Sequence, residues 1–219
     1  MKVCTDSCLF GAWIADKIEE KIFKPKIILD IGSGTGLLSL MISQKSDAKI
    51  DAVEIDKDSY LQTKENFWAS KWNNRLQAFN ADIKNWNGPS KYDFIISNPP
   101  FFENDLQSGN KNKNLAKHHD GLILKELLQS IKNNLSKNGN FSVLLPFHRL
   151  DYFKTLAAEN DFYLNEELLV KQTPNHSYFR AILFFSTKSN AIIINELIIK
   201  DDGGNYTESF DFLLKDYYL

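Results

Sequence analysis

Four polar side chains, Asp30, Glu54, Asp82 and Asn98, each close a run of apolar, strand-favouring residues. The first closes KIILD and opens the turn DIGSGTG, which contributes Asp30, Gly32, Gly34 and Gly36. Glycines in such a turn permit tight bending and let backbone N–H groups approach a ligand at the open N-terminus of the next helix. Alone, G-x-G-x-G also describes an ordinary strand-to-helix turn. The second run, AVEID, brings Glu54 to 24 residues beyond Asp30. An acid there can accept both hydroxyl protons of a ribose lying across the crevice of a doubly wound sheet. RLQAFNAD ends in Asp82, an acceptor suited to an adenine amino group, and YDFIISNPPF ends in Asn98, Pro99, Pro100 and Phe101. The prolines cannot donate to a sheet ladder, so this strand stops there. Any one of these polar groups is ordinary as a helix cap. Four at successive strand ends converge on the edge where doubly wound sheets bind ligands.

The glycine spacing selects among cofactors. A dinucleotide site calls for G-x-G-x-x-G, with the third glycine packing helix against sheet, and Asp30 at the head of the turn would repel a pyrophosphate. The same acid suits a cation. S-adenosylmethionine carries a ribose, an adenine, an ammonium and a sulfonium, and the pattern fits it better than a dinucleotide.

For the four ends to meet, their strands must be parallel neighbours joined by helices. TGLLSLMISQKS follows the first strand at helical spacing, and KDSYLQTKENFWASKW follows the second, with Leu61, Phe67 and Trp68 expected on a shared face. GLILKELLQSIKNNLSKNG repeats Leu124, Leu127, Leu128, Ile131 and Leu135 at three and four, with Gly139 as the expected C-terminal cap. NFSVLLP is a further strand. FYLNEELLVKQ, SYFRAILFFST and AIIINELIIKD predict antiparallel strands at one edge, followed by the loop DDGGN and a short helix from Thr207. The expected fold is α/β: a mostly parallel seven-stranded sheet with helices on both faces and an antiparallel C-terminal edge.

The totals agree with that fold. A chain of 219 residues, 43% hydrophobic, fills one large core, and no linker rich in Gly, Pro or Ser divides it, so one domain is expected over residues 1–219. A net charge of −2 provides no global basic field, so a polyanion must meet a local patch. Cys4 and Cys8 fall on one helix face and are two ligands short of a structural metal site, so no metal is expected. With no apolar run near 18 residues and no leader, the reading is a cytoplasmic protein away from membranes, with reduced thiols.

DIGSGTG, VEID, NAD and NPPF resemble the cofactor and catalytic motifs of class I amino-methyltransferases, which have a Rossmann-like fold and act on exocyclic amino or amide nitrogens. MKVCTDSCLFGAW, KHHDGLILKELL, LLPFHRL and YTESFDFLLKDYYL extend the likeness over essentially the whole chain, and there it resembles the bacterial tRNA1(Val) (adenine-37-N6)-methyltransferases. The resemblance implies S-adenosylmethionine as cofactor, with Asp30, Gly32 and Gly34 at its methionine part, Glu54 at the ribose and Asp82 at the adenine. It implies Asn98, Pro99 and Phe101 at the target nitrogen, with Thr5 and Asp6 near the cofactor.

A mechanism follows from those types. An aromatic amino group is a poor nucleophile because its lone pair is delocalised into the ring. The Asn98 side-chain oxygen and the Pro99 carbonyl can hold its two hydrogens and turn that lone pair toward a methyl on sulfur. Phe101 can stack on the base and align it. The implied partner is a tRNA anticodon loop, whose unpaired bases can be presented to a pocket, and the enzyme is expected to act as a monomer. The acid-free SGNKNKNLAKHH supplies Lys111, Lys113 and Lys117 as candidate phosphate contacts, with Arg149 of PFHRL as a weaker one. Rival acceptors are guanine N2 of ribosomal RNA and a release-factor glutamine. A cofactor-binding module without catalysis is the rival of another class, disfavoured by the intact Asn98-Pro-Pro-Phe.

Overall fold

A computed structural model describes residues 4–100 and 124–217. Helix α1 (Thr5–Glu19) precedes the sheet. Then β1 (Ile27–Ile31), α2 (Leu37–Ser43), β2 (Lys49–Glu54), α3 (Lys57–Ala69), β3 (Leu76–Asn80) and β4 (Tyr92–Ser97) alternate as the periodicity implies. Residues 124–134 form α4, and β5 (Leu135–Pro146), α5 (Leu150–Ala158), β6 (Tyr163–Lys171), β7 (Tyr178–Ser186), β8 (Ile193–Ile198) and α6 (Glu208–Leu214) complete the chain.

The strands make one sheet in the order β3-β2-β1-β4-β5-β7-β6-β8. Strands β1 to β5 are parallel, which requires crossovers and places the carboxyl ends of β1, β2, β3 and β4 along one edge. Alternation along each buried strand feeds two apolar layers. Ile28, Ile50, Phe94, Ile96 and Ile182 pack with α1, α2, α6 and Phe67 of α3 on one face. Leu29, Ile31, Val53, Ile95 and Val143 pack with α4 and α5 on the other.

Four sequence expectations are corrected. The sheet has eight strands rather than seven, and only β7 is reversed: β8 lies parallel to β6. A period of two identifies a strand but not its direction. Here the short connection 187–192 steps past β6 before β8 begins. Leu135 starts β5 opposite Tyr92 instead of ending α4, and Gly139 lies inside that strand, not at a helix cap. Leu135 sits in the same apolar layer as Leu124 and Leu128, so its hydrophobicity cannot distinguish the two conformations. On α3 the inward side chains are Thr63 and Phe67, one turn apart, while Leu61 and Trp68 face outward. Finally, α5 was not expected; its buried face is Leu150, Phe153, Leu156 and Ala157.

Candidate functional site

The glycine turn is shaped by positive backbone angles, φ of 69° at Gly32, 58° at Gly34 and 81° at Gly36. Any other residue would be strained there. Their surroundings differ. A Cβ on Gly32 would meet nothing within 4 Å, so this backbone borders open space. A Cβ on Gly36 would stand 2.7 Å from Cε1 of Phe67, so this glycine lets the start of α2 pack against α3. Helix α3 also holds the turn directly: Thr63 Oγ1 donates to the Gly34 carbonyl at 2.7 Å and Asn66 Nδ2 to the Thr35 carbonyl at 2.8 Å.

Glu54, the last residue of β2, is buried beside this turn. Its Oε2 accepts the Gly34 N–H and its Oε1 the Asp56 N–H, both at 2.8 Å. Two backbone donors therefore fix the carboxylate, which retains about two of its roughly four lone-pair sites for hydroxyl groups. Asn80, closing β3, donates to the Glu54 and Ile55 carbonyls and holds the chain leaving β2.

Asp30, fourth residue of β1, is fully buried. Its Oδ2 accepts from Ser39 Oγ at 2.7 Å, while its Oδ1, also buried, has no hydrogen-bond partner among the described residues. Burial pushes the carboxyl up to about 6, against the Ser39 hydrogen bonds that lower it, and the charge of Glu54 adds to the rise. The group remains ionised at neutral pH at a cost. A cationic ligand beside the turn would relieve it.

Asp82 lies two residues beyond the end of β3, where its side chain caps a short 3-10 turn (Ile83–Asn85) by accepting from Lys84 N at 3.0 Å. The partly exposed carboxylate keeps acceptor capacity beyond that cap. Asn98 directly follows β4, and its Nδ2 donates to Ser7 Oγ of α1 at 2.8 Å. The amide nitrogen is thus engaged, and Oδ1 remains as the acceptor end. Register places these ends together, since Ile31 is opposite both Val53 and Ser97, and Glu54 is opposite Asn80.

Phe101, Lys111, Lys113 and Lys117 lie outside the described residues. Arg149 is 8% exposed and closes a 3-10 turn (Phe147–Arg149). Sequence reasoning missed Ser39, Thr63 and Ser7, each of which holds a site residue, and Asn66, which holds the glycine turn at Thr35. Only Ser7 and Ser39, polar residues on otherwise buried helix faces, carried a signal. Among the described residues no group of three or more His, Cys, Asp or Glu could hold a metal ion, and no helix is long and apolar enough to cross a membrane.

The methyltransferase small domain model matches residues 11–162. The tRNA1(Val) (adenine(37)-N6)-methyltransferase of Pseudoalteromonas translucida is 39% identical over the whole of this chain and 92% of its own length. The protein of the same name from Christiangramia forsetii is 37% identical over the whole chain and 91% of its length. Among solved structures, a predicted O-methyltransferase from Agrobacterium tumefaciens superposes with a TM-score of 0.73 over 95% of each chain at 15% identity, a likeness of fold alone.

Proposed function

The chain belongs to the methyltransferase small domain family and to the tRNA1(Val) (adenine(37)-N6)-methyltransferases, and from that premise we propose that it methylates N6 of adenine 37 in the anticodon loop of tRNA1(Val), with S-adenosylmethionine as donor. The residues present suit that donor. The open border at Gly32, the two remaining acceptor sites of Glu54 and the uncompensated charge of Asp30 match a ligand with a vicinal diol and a cationic end. When bound, S-adenosylmethionine supplies an electrophilic methyl on a sulfonium.

Each residue then has one task. Glu54 accepts the ribose hydroxyls, Asp82 the adenine amino group, and Asp30 with Gly32 and Gly34 forms the electronegative wall at the methionine end. Asn98 Oδ1 and the Pro99 carbonyl accept the two hydrogens of the target amino group and turn its lone pair out of the base plane. Because proline fixes the backbone direction, neither acceptor must reorganise during the reaction. Phe101 stacks on the base. With its lone pair so turned, the target nitrogen would take the methyl the bound donor supplies, and one of the two hydrogens held by Asn98 and Pro99 would leave to solvent as a proton. Lys111, Lys113 and Lys117 provide phosphate contacts beside Asn98-Pro-Pro-Phe.

The observation that carries this reading is the Asn98 amide, tied by its nitrogen to Ser7 on the edge shared with Asp30 and Glu54. The test is methyl transfer from labelled S-adenosylmethionine to a tRNA1(Val) transcript, a transcript with guanine at position 37, a ribosomal RNA fragment and a glutamine-containing peptide. Labelling of the first alone is expected, with N6-methyladenosine found by nucleoside mass spectrometry. Undiminished labelling of the guanine-37 transcript, or labelling of the peptide instead, overturns the assignment.

A further inference from the structure

We propose that the rim formed by the end of β5, the end of β6 and the start of β7 is a stacking platform for unpaired RNA bases beside the target base, with the Phe147 and Tyr178 rings as its surface. The rim belongs to the sheet edge that carries Asn98. Ser97 of β4 lies opposite Val143 of β5, and β5 runs on from there to Pro146, about 10 Å further at the rise of a strand. Phe147 follows directly. Pro146 is opposite Arg180 of β7, and Lys171, the last residue of β6, is opposite Tyr178, the first of β7. These strand ends build a wall that rises beside Asn98, on the side away from Glu54 and Asp82.

A bulge turns the rings to this use. The β6–β7 register shifts between Val170, opposite Arg180, and Lys171, opposite Tyr178, which leaves Phe179 as the extra residue. In a regular strand Tyr178 and Arg180 would share a face. Here Arg180 pairs with Asp6 of α1 at 2.7 Å, while Tyr178 lies against Phe147, which packs on the opposite apolar layer, with ring centroids 5.2 Å apart. Lys171 Nζ stands 4.7 Å from the Tyr178 ring centroid. Glu196 of β8 holds both, accepting from the Tyr178 hydroxyl and pairing with Lys171 at 2.9 Å. Phe147, Tyr178 and Lys171 are each half-buried, so the rings are fixed by their neighbours and still reach solvent.

The chemistry selects bases rather than phosphates. Glu196 offsets Lys171 and Asp6 offsets Arg180, so the rim adds no net positive charge to a chain of net charge −2. The flat face of a base gains from an aromatic ring whatever its sequence, and most when the ring is already held in place. Bases beside position 37 of an anticodon loop are unpaired and available for this. Lys171, Tyr178 and Glu196 also lie beyond residue 162, where the match to the methyltransferase small domain ends, whereas the relatives named for tRNA1(Val) match over the whole chain. The inference rests on the RNA-methylating reading for its occupant and deepens it by naming where the neighbours of the target base lie.

The experiment measures binding of a tRNA1(Val) anticodon stem–loop by parent, Tyr178→Leu, Tyr178→Phe and Phe147→Leu across a salt series. 2-Aminopurine beside position 37 reports stacking. Tyr178→Leu and Phe147→Leu should each weaken binding about tenfold, the scale of one base–aromatic stack, and Tyr178→Phe should stay within about threefold of the parent. The slope of log affinity against log salt should not change, since no phosphate contact is removed. S-adenosylmethionine affinity should hold throughout, and emission should be quenched by saturating parent but not by saturating Tyr178→Leu. Parent-like binding by Tyr178→Leu, or an equal loss in Tyr178→Phe, overturns the platform. So does a loss that comes with a shallower salt slope, which would make the rim a phosphate site. The two readings fail separately. If the parent methylates another RNA and Tyr178→Leu binds that RNA about tenfold more weakly, the platform stands and the anticodon-loop assignment falls. If the parent labels tRNA1(Val) and Tyr178→Leu binds it equally well, the platform alone falls, and labelling of a peptide but of no RNA overturns both.

Discussion

Replacing Asp30 with asparagine separates the cost of burying a charge from the use made of it. The Asp30 carboxyl is raised from an ordinary 3.8 to about 6 in the folded protein, with burial the largest cause. The folded state therefore holds this proton more tightly than the unfolded chain does. That contribution to stability is complete below the unfolded pKa and is lost as pH rises through the folded one. About two pH units at ~1.36 kcal/mol each makes the loss roughly 3 kcal/mol, most of it between about pH 4 and pH 7. Asparagine cannot ionise. It keeps the volume and an acceptor for Ser39 Oγ, and it sets an NH2 group where Oδ1 now lacks a partner. That substitution cost does not vary with pH. The informative quantity is thus variant stability minus parent stability, from urea unfolding of the cofactor-free protein at several pH values. It should rise by roughly 2–3 kcal/mol from pH 4 to pH 8. S-adenosylmethionine should stabilise the parent strongly at pH 8 and Asp30→Asn weakly, because the variant offers no charge to the cationic end. A stability difference flat in pH would refute the claim that Asp30 is a desolvated anion. Equal stabilisation by the cofactor would remove Asp30 from the site.

Other substitutions divide fold from chemistry. Asn98→Ala should leave S-adenosylmethionine affinity intact by calorimetry while tRNA methylation falls about a hundredfold or more, the scale of deleting one preorganised hydrogen-bonding group. Glu54→Gln should weaken cofactor binding by roughly 2–3 kcal/mol. It should also lower Tm, since the Gly34 and Asp56 N–H groups both donate to that carboxylate; loss of affinity without loss of stability would contradict the observed bonding. Gly36→Ala places a methyl 2.7 Å from Phe67 at a φ of 81° and should cost roughly 2–4 kcal/mol of stability by urea unfolding. Gly32→Ala meets no atom within 4 Å, so it should cost only about 1–2 kcal/mol of stability, and its larger effect should appear in cofactor affinity.

What was legible in the sequence was whatever is local. Asp30, Glu54 and Asn98 could be placed because each ends a strand whose own residues announce it, and parallel pairing then brings those ends to one edge. Asp82 was placed less well: β3 stops at Asn80, and the acid caps the turn beyond it. The rest was hidden for stated reasons. The direction of β8 depends on a connection that steps past a neighbouring strand, which no period reveals. The inward face of α3 is carried by Thr63 and Phe67, and a polar Thr63 gives the hydrophobic pattern nothing to detect, although its hydroxyl holds the Gly34 carbonyl. Arg149 looked like a surface cation, yet it is buried in the turn between β5 and α5, which charge alone does not indicate.

The three glycines of DIGSGTG show how one motif divides between ligand and fold. All have positive φ, so the spacing alone makes them equivalent. Their neighbours do not: Gly32 borders open space, Gly34 gives its N–H to Glu54 and its carbonyl to Thr63, and Gly36 makes room for Phe67. Gly34 is the hinge of that arrangement, because the carboxylate proposed to bind ribose is itself aimed by the turn proposed to border the methionine end. Helix α3 closes the circuit by holding the same turn from behind through Thr63 and Asn66. Cofactor contacts at Glu54 and at the turn are therefore mechanically joined. A change on α3 that frees the turn, such as Thr63→Val, removes the hydrogen bond to the Gly34 carbonyl, and it disorients Glu54 through Gly34 without replacing either residue.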